Sequence, residues 1–193
     1  MKKELECTSR IKRICDKVGV HYTNKTYYNI RLILKAYSLL KKDWDTIKDN
    51  VRKTDIKEAS QALFSKMASD NKLSDNDSIE YVAGALKAGY IDKFFSRSLE
   101  EVKRFNPDGK VFSSIIENIY FSSNRILDKE MENSLNLSHS AYQVCKKNAV
   151  MLFGVYYWKE VLKNWDNARY DIIEIERKLG RQGDFSSSFV DEE

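Results

Sequence analysis

Residues 111–153 read VFSSIIENIYFSSNRILDKEMENSLNLSHSAYQVCKKNAVMLF, and within them the run Leu135-Asn136-Leu137-Ser138-His139-Ser140-Ala141-Tyr142 joins two helical patterns across a tight turn. Val111, Phe112, Ile115, Ile116 and Ile119 fall at helical spacing, so the first pattern has one apolar face. Asp128 is placed to cap a second helix whose Met131 and Leu135 point inward. Asn136-Leu137 forms the turn, Ser138 supplies an N-cap oxygen for free amides, and a third helix begins. Two helices joined by a short turn that buries one apolar residue, here Leu137, form a helix-turn-helix.

The third helix sorts by face. Tyr142, Cys145, Ala149, Leu152 and Phe153 recur at steps of three, four, three and one, which predicts an inward stripe. His139, Ser140, Gln143, Lys146 and Lys147 fall on the other side, a set with no acid. A recognition helix presents its first residues to base edges, where Gln pairs with adenine and Ser or His bonds either partner, while lysines meet phosphate. His139, Ser140 and Gln143 are therefore the candidate base readers on double-stranded DNA, and Lys146 and Lys147 the candidate phosphate contacts.

The run Leu137 to Tyr142, followed by Lys146-Lys147-Asn148-Ala149, resembles the helix-turn-helix of sigma-factor region four. In particular it is similar to phage and prophage transcriptional regulators of the ArpU and RinA type, over roughly residues 111–153. Ile33 to Tyr37 is similar to a segment near the start of those proteins. The resemblance implies a sequence-specific DNA-binding regulator that reads its site with the helix 138–153, with RNA polymerase as a candidate partner. Those regulators commonly carry Arg or a second Tyr where this chain has His139 and Gln143, so the operator does not transfer. Activation, repression and packaging all stay open, because phage helix-turn-helix proteins do each of them.

Composition sets the outer bounds. The chain has 193 residues, 42% apolar and 32% charged, with one proline and seven glycines, which predicts a helical protein and argues against an all-β one. No apolar run approaches the ~18 residues needed to cross a bilayer, and Met1-Lys2-Lys3-Glu4 leads into a polar segment, so a cytoplasmic protein without a membrane partner is expected. Cys7, Cys15 and Cys145 form an odd set without a Cys-x-x-Cys pair, and Cys7, Cys15 and His21 match no zinc spacing, so free thiols are expected. No phosphate loop, His-Glu-x-x-His or nucleophile elbow is present, Glu130 and Glu132 fall on different sides of a helix, and Asp75 to Asp77 lack the rest of a calcium loop. Neither an enzyme nor a cofactor is expected.

Charge is unevenly spread. Residues 1–53 hold 14 Lys or Arg against 6 acids, residues 54–137 hold 11 against 14, residues 138–163 hold 4 against 1, and the remainder 4 against 8. A basic amino-terminal segment and a basic recognition helix suit a protein meeting phosphate with two surfaces. Solvated faces of amphipathic helices would give the same pattern.

Outside the central stretch, the patterns predict a helix over 2–18 ending at Gly19 and a long helix from Asn24 toward Lys53. The latter's apolar stripe is Ile30, Ile33, Tyr37, Leu40, Trp44, Ile47 and Val51, which suits a coiled-coil seam or one side of a bundle helix. A third helix capped at Thr54 or Asp55, a polar loop over 70–77 and a helical stretch to Val102 interrupted near Gly89 follow. Asn106-Pro107-Asp108-Gly109 is the clearest turn. The expected organisation is all-α: a helical assembly domain over 1–105, a DNA-binding domain with its carboxy-terminal helix over 110–180, and a disordered tail over 181–193. Val161, Trp165, Ala168, Ile172, Ile175 and Leu179 form a seam that would either pair two copies, giving a homo-oligomer, or pack on the chain's own bundle. Two other functions fit the same patterns: a phage terminase small subunit, which would form a ring, and a helical interaction module that never touches DNA.

Overall fold

Ala149-Val150-Met151-Leu152-Phe153-Gly154-Val155 carries no charge on any face, and a helix of that composition has to be enclosed. In the computed structural model it is the middle of the longest helix. The structure describes residues 2–51, 56–69, 71–122 and 124–178, with side chains over 6–51, 58–69, 71–122 and 124–163. These residues form eight α-helices and no strand: α1 (Lys2–Asp16), α2 (Asn24–Ile47), α3 (Ile56–Ala68), α4 (Asp75–Lys87), α5 (Ile91–Lys103), α6 (Gly109–Ile116), α7 (Asp128–Ser134) and α8 (His139–Lys178). A 3-10 turn, Lys48–Asn50, follows α2, and one π turn, Glu117–Phe121, follows α6. The all-α expectation holds.

Every residue from Asn148 to Val155 is buried, and α8 takes partners on several sides. Gly154 admits Ile30 of α2 so closely that a Cβ there would lie 2.5 Å from Ile30 Cδ1. Phe153 packs edge-on against Phe95 of α5 and Phe121 of the π turn, Tyr157 against Phe95, and Trp158 stacks on Phe64 of α3. Close packing on so many sides makes α8 the axis of the core, and these aromatic pairs add about 0.5–1.5 kcal/mol each beyond their buried area.

Local signals place the other helices. Gly19 and Gly89 adopt φ of 70° and 77°, ending α1 and separating α4 from α5 at the positions where L side chains are strained. Thr23 caps α2, its hydroxyl accepting from the Thr26 amide at 3.0 Å. Ser74 caps α4 in the same way, so the second half of the expected 70–77 loop is already helix. Of the α2 stripe, Ile30, Ile33 and Leu40 are buried and the remaining four are half-buried. Leu32, Leu34 and Ala36 are buried as well, so the first half of α2 is enclosed as a bundle helix. Buried Asn29 ties α2 to the α3–α4 connection: its Nδ2 donates to the carbonyls of Lys66, Ser69 and Asn71, and its Oδ1 accepts from the Leu73 amide at 2.9 Å.

Contacts divide the chain into two compact units, Met1–Val161 and Leu162–Glu193. The Asn106–Gly109 turn, where the sequence suggested a boundary after residue 105, falls inside the first unit. There Arg10 of α1 donates to the Asn106 carbonyl at 2.9 Å and stands over the Phe105 ring. The backbone of the expected carboxy-terminal seam is helical as far as Lys178. Its side chains beyond residue 163, the expected cap at Thr54 or Asp55 and the tail over 181–193 lie outside the described residues. Among the described residues no helix is long and apolar enough to cross a membrane.

Candidate nucleic-acid interface

The turn between α7 and α8 follows its sequence closely. Asn136 takes φ of 53°, a left-handed conformation that Asn tolerates better than most residues. Leu137 is half-buried against the core, and Ser138 Oγ accepts from the Ala141 amide at 3.3 Å. Met131 is buried and Leu135 half-buried, while α6 buries Phe112, Ile115 and Ile116.

Asp128 does not cap α7. It is the first helical residue, and Glu130 instead accepts from the Leu127 amide at 2.7 Å. The Asp128 carboxylate faces α8, where Oδ1 and Oδ2 each accept from Lys146 Nζ at 2.6 Å and Oδ1 also accepts from Tyr142 Oη at 2.6 Å. Burial pushes the Asp128 carboxyl up, but the hydrogen bonds from Lys146 and Tyr142 outweigh it and hold the group below its ordinary value. Burial pulls the Lys146 ammonium down against the attraction of Asp128, and Arg31 and Lys35 add repulsion.

The expectation that Lys146 contacts phosphate is therefore corrected. Lys146 is only 4% exposed and committed to Asp128. The physical reason is the position of α8. A helix enclosed from Asn148 onward carries its neighbouring turn inward too, and a lysine drawn inside requires a counterion.

The other four sequence candidates reach the surface. His139, Ser140 and Gln143 are exposed, and Lys147 is half-buried. His139 Nδ1 lies 2.6 Å from Oε1 of the buried Glu132, which also meets Lys129 at 3.4 Å, so the acid nearest the head of α8 is already engaged by positive or polar partners. Ser140, Gln143 and Lys147 fall at i, i+3 and i+7 and share one helical face.

Lys147 turns toward α1 and the start of α2. Its Nζ donates to Asn24 Oδ1 at 2.8 Å and stands 4.7 Å from the centroid of Tyr22, while Lys12 of α1 lies 5.6 Å from the same ring. Burial and then repulsion by Lys12 hold the Lys147 ammonium below its ordinary value. Farther along α2, Arg31 stands over Tyr27 and Tyr28 at 5.8 and 5.6 Å, with Lys35 one turn on. Among the described residues no carboxylate lies in ion-pair contact with Lys12, Lys147, Arg31 or Lys35, although Arg31 attracts Asp128 at longer range.

Tyr22 was not singled out in the sequence, Lys12 counted only as one of the basic residues of the amino-terminal helix, and Asn148 stood only within the Lys146-to-Ala149 run. The signal for Asn148 was present: a polar residue at the border of an all-apolar helical run needs a buried partner. Tyr22 supplies it, donating to Asn148 Oδ1 at 2.6 Å. No group of three or more metal-ligating side chains occurs among the described residues. The sequence matches no family model, no curated protein and no solved structure.

Proposed function

We propose that the protein is a DNA-binding regulator that reads duplex DNA with the head of α8. The observation that carries this reading is the exposed end of that helix after a left-handed turn at Asn136, where Ser140 and Gln143 are exposed and His139 is exposed while held through Nδ1 by the buried Glu132. Gln143 offers the donor and acceptor pair that adenine requires, and Ser140 bonds either partner of a base pair. Lys147 on the same face meets phosphate. The sequence resemblance to phage and prophage regulators of the ArpU and RinA type supports the same reading.

One structural feature favours a different function. A helix as deeply enclosed as α8 serves the core first, which suits a helical interaction module that holds a protein partner and leaves DNA alone. Selection of bound duplexes from a random pool at ~150 mM salt separates the two, because weak phosphate-only binding is already strongly reduced there. The regulator reading expects an enriched motif, weakened by Gln143→Ala at one position and unaffected in sequence by Lys147→Ala. The spacing of half-sites in that motif would report whether two copies bind together. No retained DNA, even at low salt, refutes it and leaves the interaction module.

A further inference from the structure

Two helices, α1 and α8, bring unneutralised charge to one tyrosine. Tyr22, in the α1–α2 connection, is fixed through its hydroxyl to Asn148 of α8, and Asn148 Nδ2 in turn donates to Thr8 Oγ1 of α1 at 3.0 Å. Asn148 is 2% exposed, so this chain of hydrogen bonds is a built framework in the core wall. Around the half-buried ring that it holds stand Lys12 and Lys147, 5.6 and 4.7 Å from the centroid. The ring face relieves part of the repulsion between the two cations. It does not neutralise them, and no described carboxylate does so either.

We infer that Lys12 and Lys147 form a phosphate clamp for the backbone of duplex DNA, seated on Tyr22 at the junction of α1, α2 and α8. The inference rests on the DNA-binding reading and extends it: α1, outside the helix-turn-helix, becomes a second contacting element, and the phosphate it holds sets the register at which Gln143 meets a base. Lys147 lies one turn beyond Gln143 on the same face, so a phosphate beside it belongs to the strand flanking the groove that Gln143 would enter. Two positive charges gathered at a ring that a buried network fixes, with no acid in contact, are complementary to a backbone carrying one negative charge per phosphate.

The test is the salt dependence of duplex binding by the full chain, measured by fluorescence anisotropy between 50 and 200 mM salt. Lys12→Gln and Lys147→Gln keep polar side chains of moderate length, and far-UV circular dichroism checks that each folds. Each variant should lower the log-log salt slope by about 0.9, so that it loses about 3.5-fold less affinity than the parent over that range. The enriched motif should not change. Lys93→Gln on α5 should leave the slope as it is, since neighbouring Asp92 bonds Tyr37 and Lys41, about 20–25 Å along α2 from Asn24.

If the parent binds DNA and both slopes stay unchanged, the clamp is refuted and the head of α8 still reads DNA. A uniform loss of affinity without a change in slope also refutes it, since that marks a structural role. If the parent binds no DNA at any salt, both the clamp and the regulator reading fall. Thermal protection by inorganic phosphate at matched ionic strength, abolished by Lys147→Gln, would overturn the duplex assignment in favour of a free-oxyanion site.

Discussion

Replacing Asp128 by Asn removes the charge facing a buried ammonium and keeps the side chain's size. Lys146 is 4% exposed, whereas the Asp128 side chain is 47% exposed. Removing one partner of a buried ion pair costs about 3–5 kcal/mol because the other charge is left without compensation. Water reaches the Asp128 side of this pair, so the lower end applies, about 3 kcal/mol. With a urea m value of about 2 kcal/mol/M, the unfolding midpoint should fall by about 1.5 M. Lys146→Met behaves differently. It removes the buried charge, fills the same space and leaves Asp128 free to be hydrated, at a cost within about 1 kcal/mol. The double variant should resemble Lys146→Met alone, giving a favourable coupling of about 3 kcal/mol in the cycle. Urea titrations of the four proteins at pH 7 measure each term. A midpoint shift below about 0.3 M for Asp128→Asn, or an equal loss from Lys146→Met, would show that Lys146 is not enclosed as described. The same variant bears on the proposed function: where the parent binds duplex DNA, Lys146→Met should keep its affinity and salt slope, which a phosphate-contacting lysine could not do.

The depressed Asp128 carboxyl stabilises the fold above the unfolded carboxylate value, about 3.9, and that contribution disappears as pH falls through the lower folded value. Acid titration of stability should therefore steepen below about pH 4 in the parent and less so in Asp128→Asn; identical profiles would contradict the depressed carboxyl. Burial pushes the thiols of Cys7 and Cys15 up to about 12, Cys7 with help from Asp108, so a thiol reagent at pH 8 should label at most Cys145 until the chain is unfolded. Rapid labelling of two thiols in the folded protein would exclude that burial. Gly154→Ala drives a methyl against Ile30, costing about 1–3 kcal/mol against a helix-propensity gain of about 1. Ile30→Val removes the clashing Cδ1, so thermal unfolding of the double variant should show it about 1 kcal/mol more stable than additivity, and strict additivity would refute the contact.

The helical elements were largely legible in the order of the amino acids. Gly19, Gly89 and Asn136 mark breaks because the conformations needed there suit those residues, Ser138 marks the start of α8, and the steps of three and four in Ile30, Ile33, Tyr37 and Leu40 mark an inward helical face. These are local properties, set within a few residues of backbone and side chain. The exposed head of α8, with His139, Ser140 and Gln143, was legible for the same reason. What surrounds the rest of that helix follows from the packing of the other helices against it. Helical periodicity assigns Lys146 to a face but does not say whether another helix covers it, and here Asp128, eighteen residues earlier, meets it inside the fold. The cluster of Lys12, Tyr22 and Lys147 was equally hidden, since its members are separated by up to 135 positions and are brought together by Asn148 bonding Thr8 and Tyr22 across three elements. Periodicity carries information over a turn or two of helix, whereas the partner of a buried charge is set by which helices pack together.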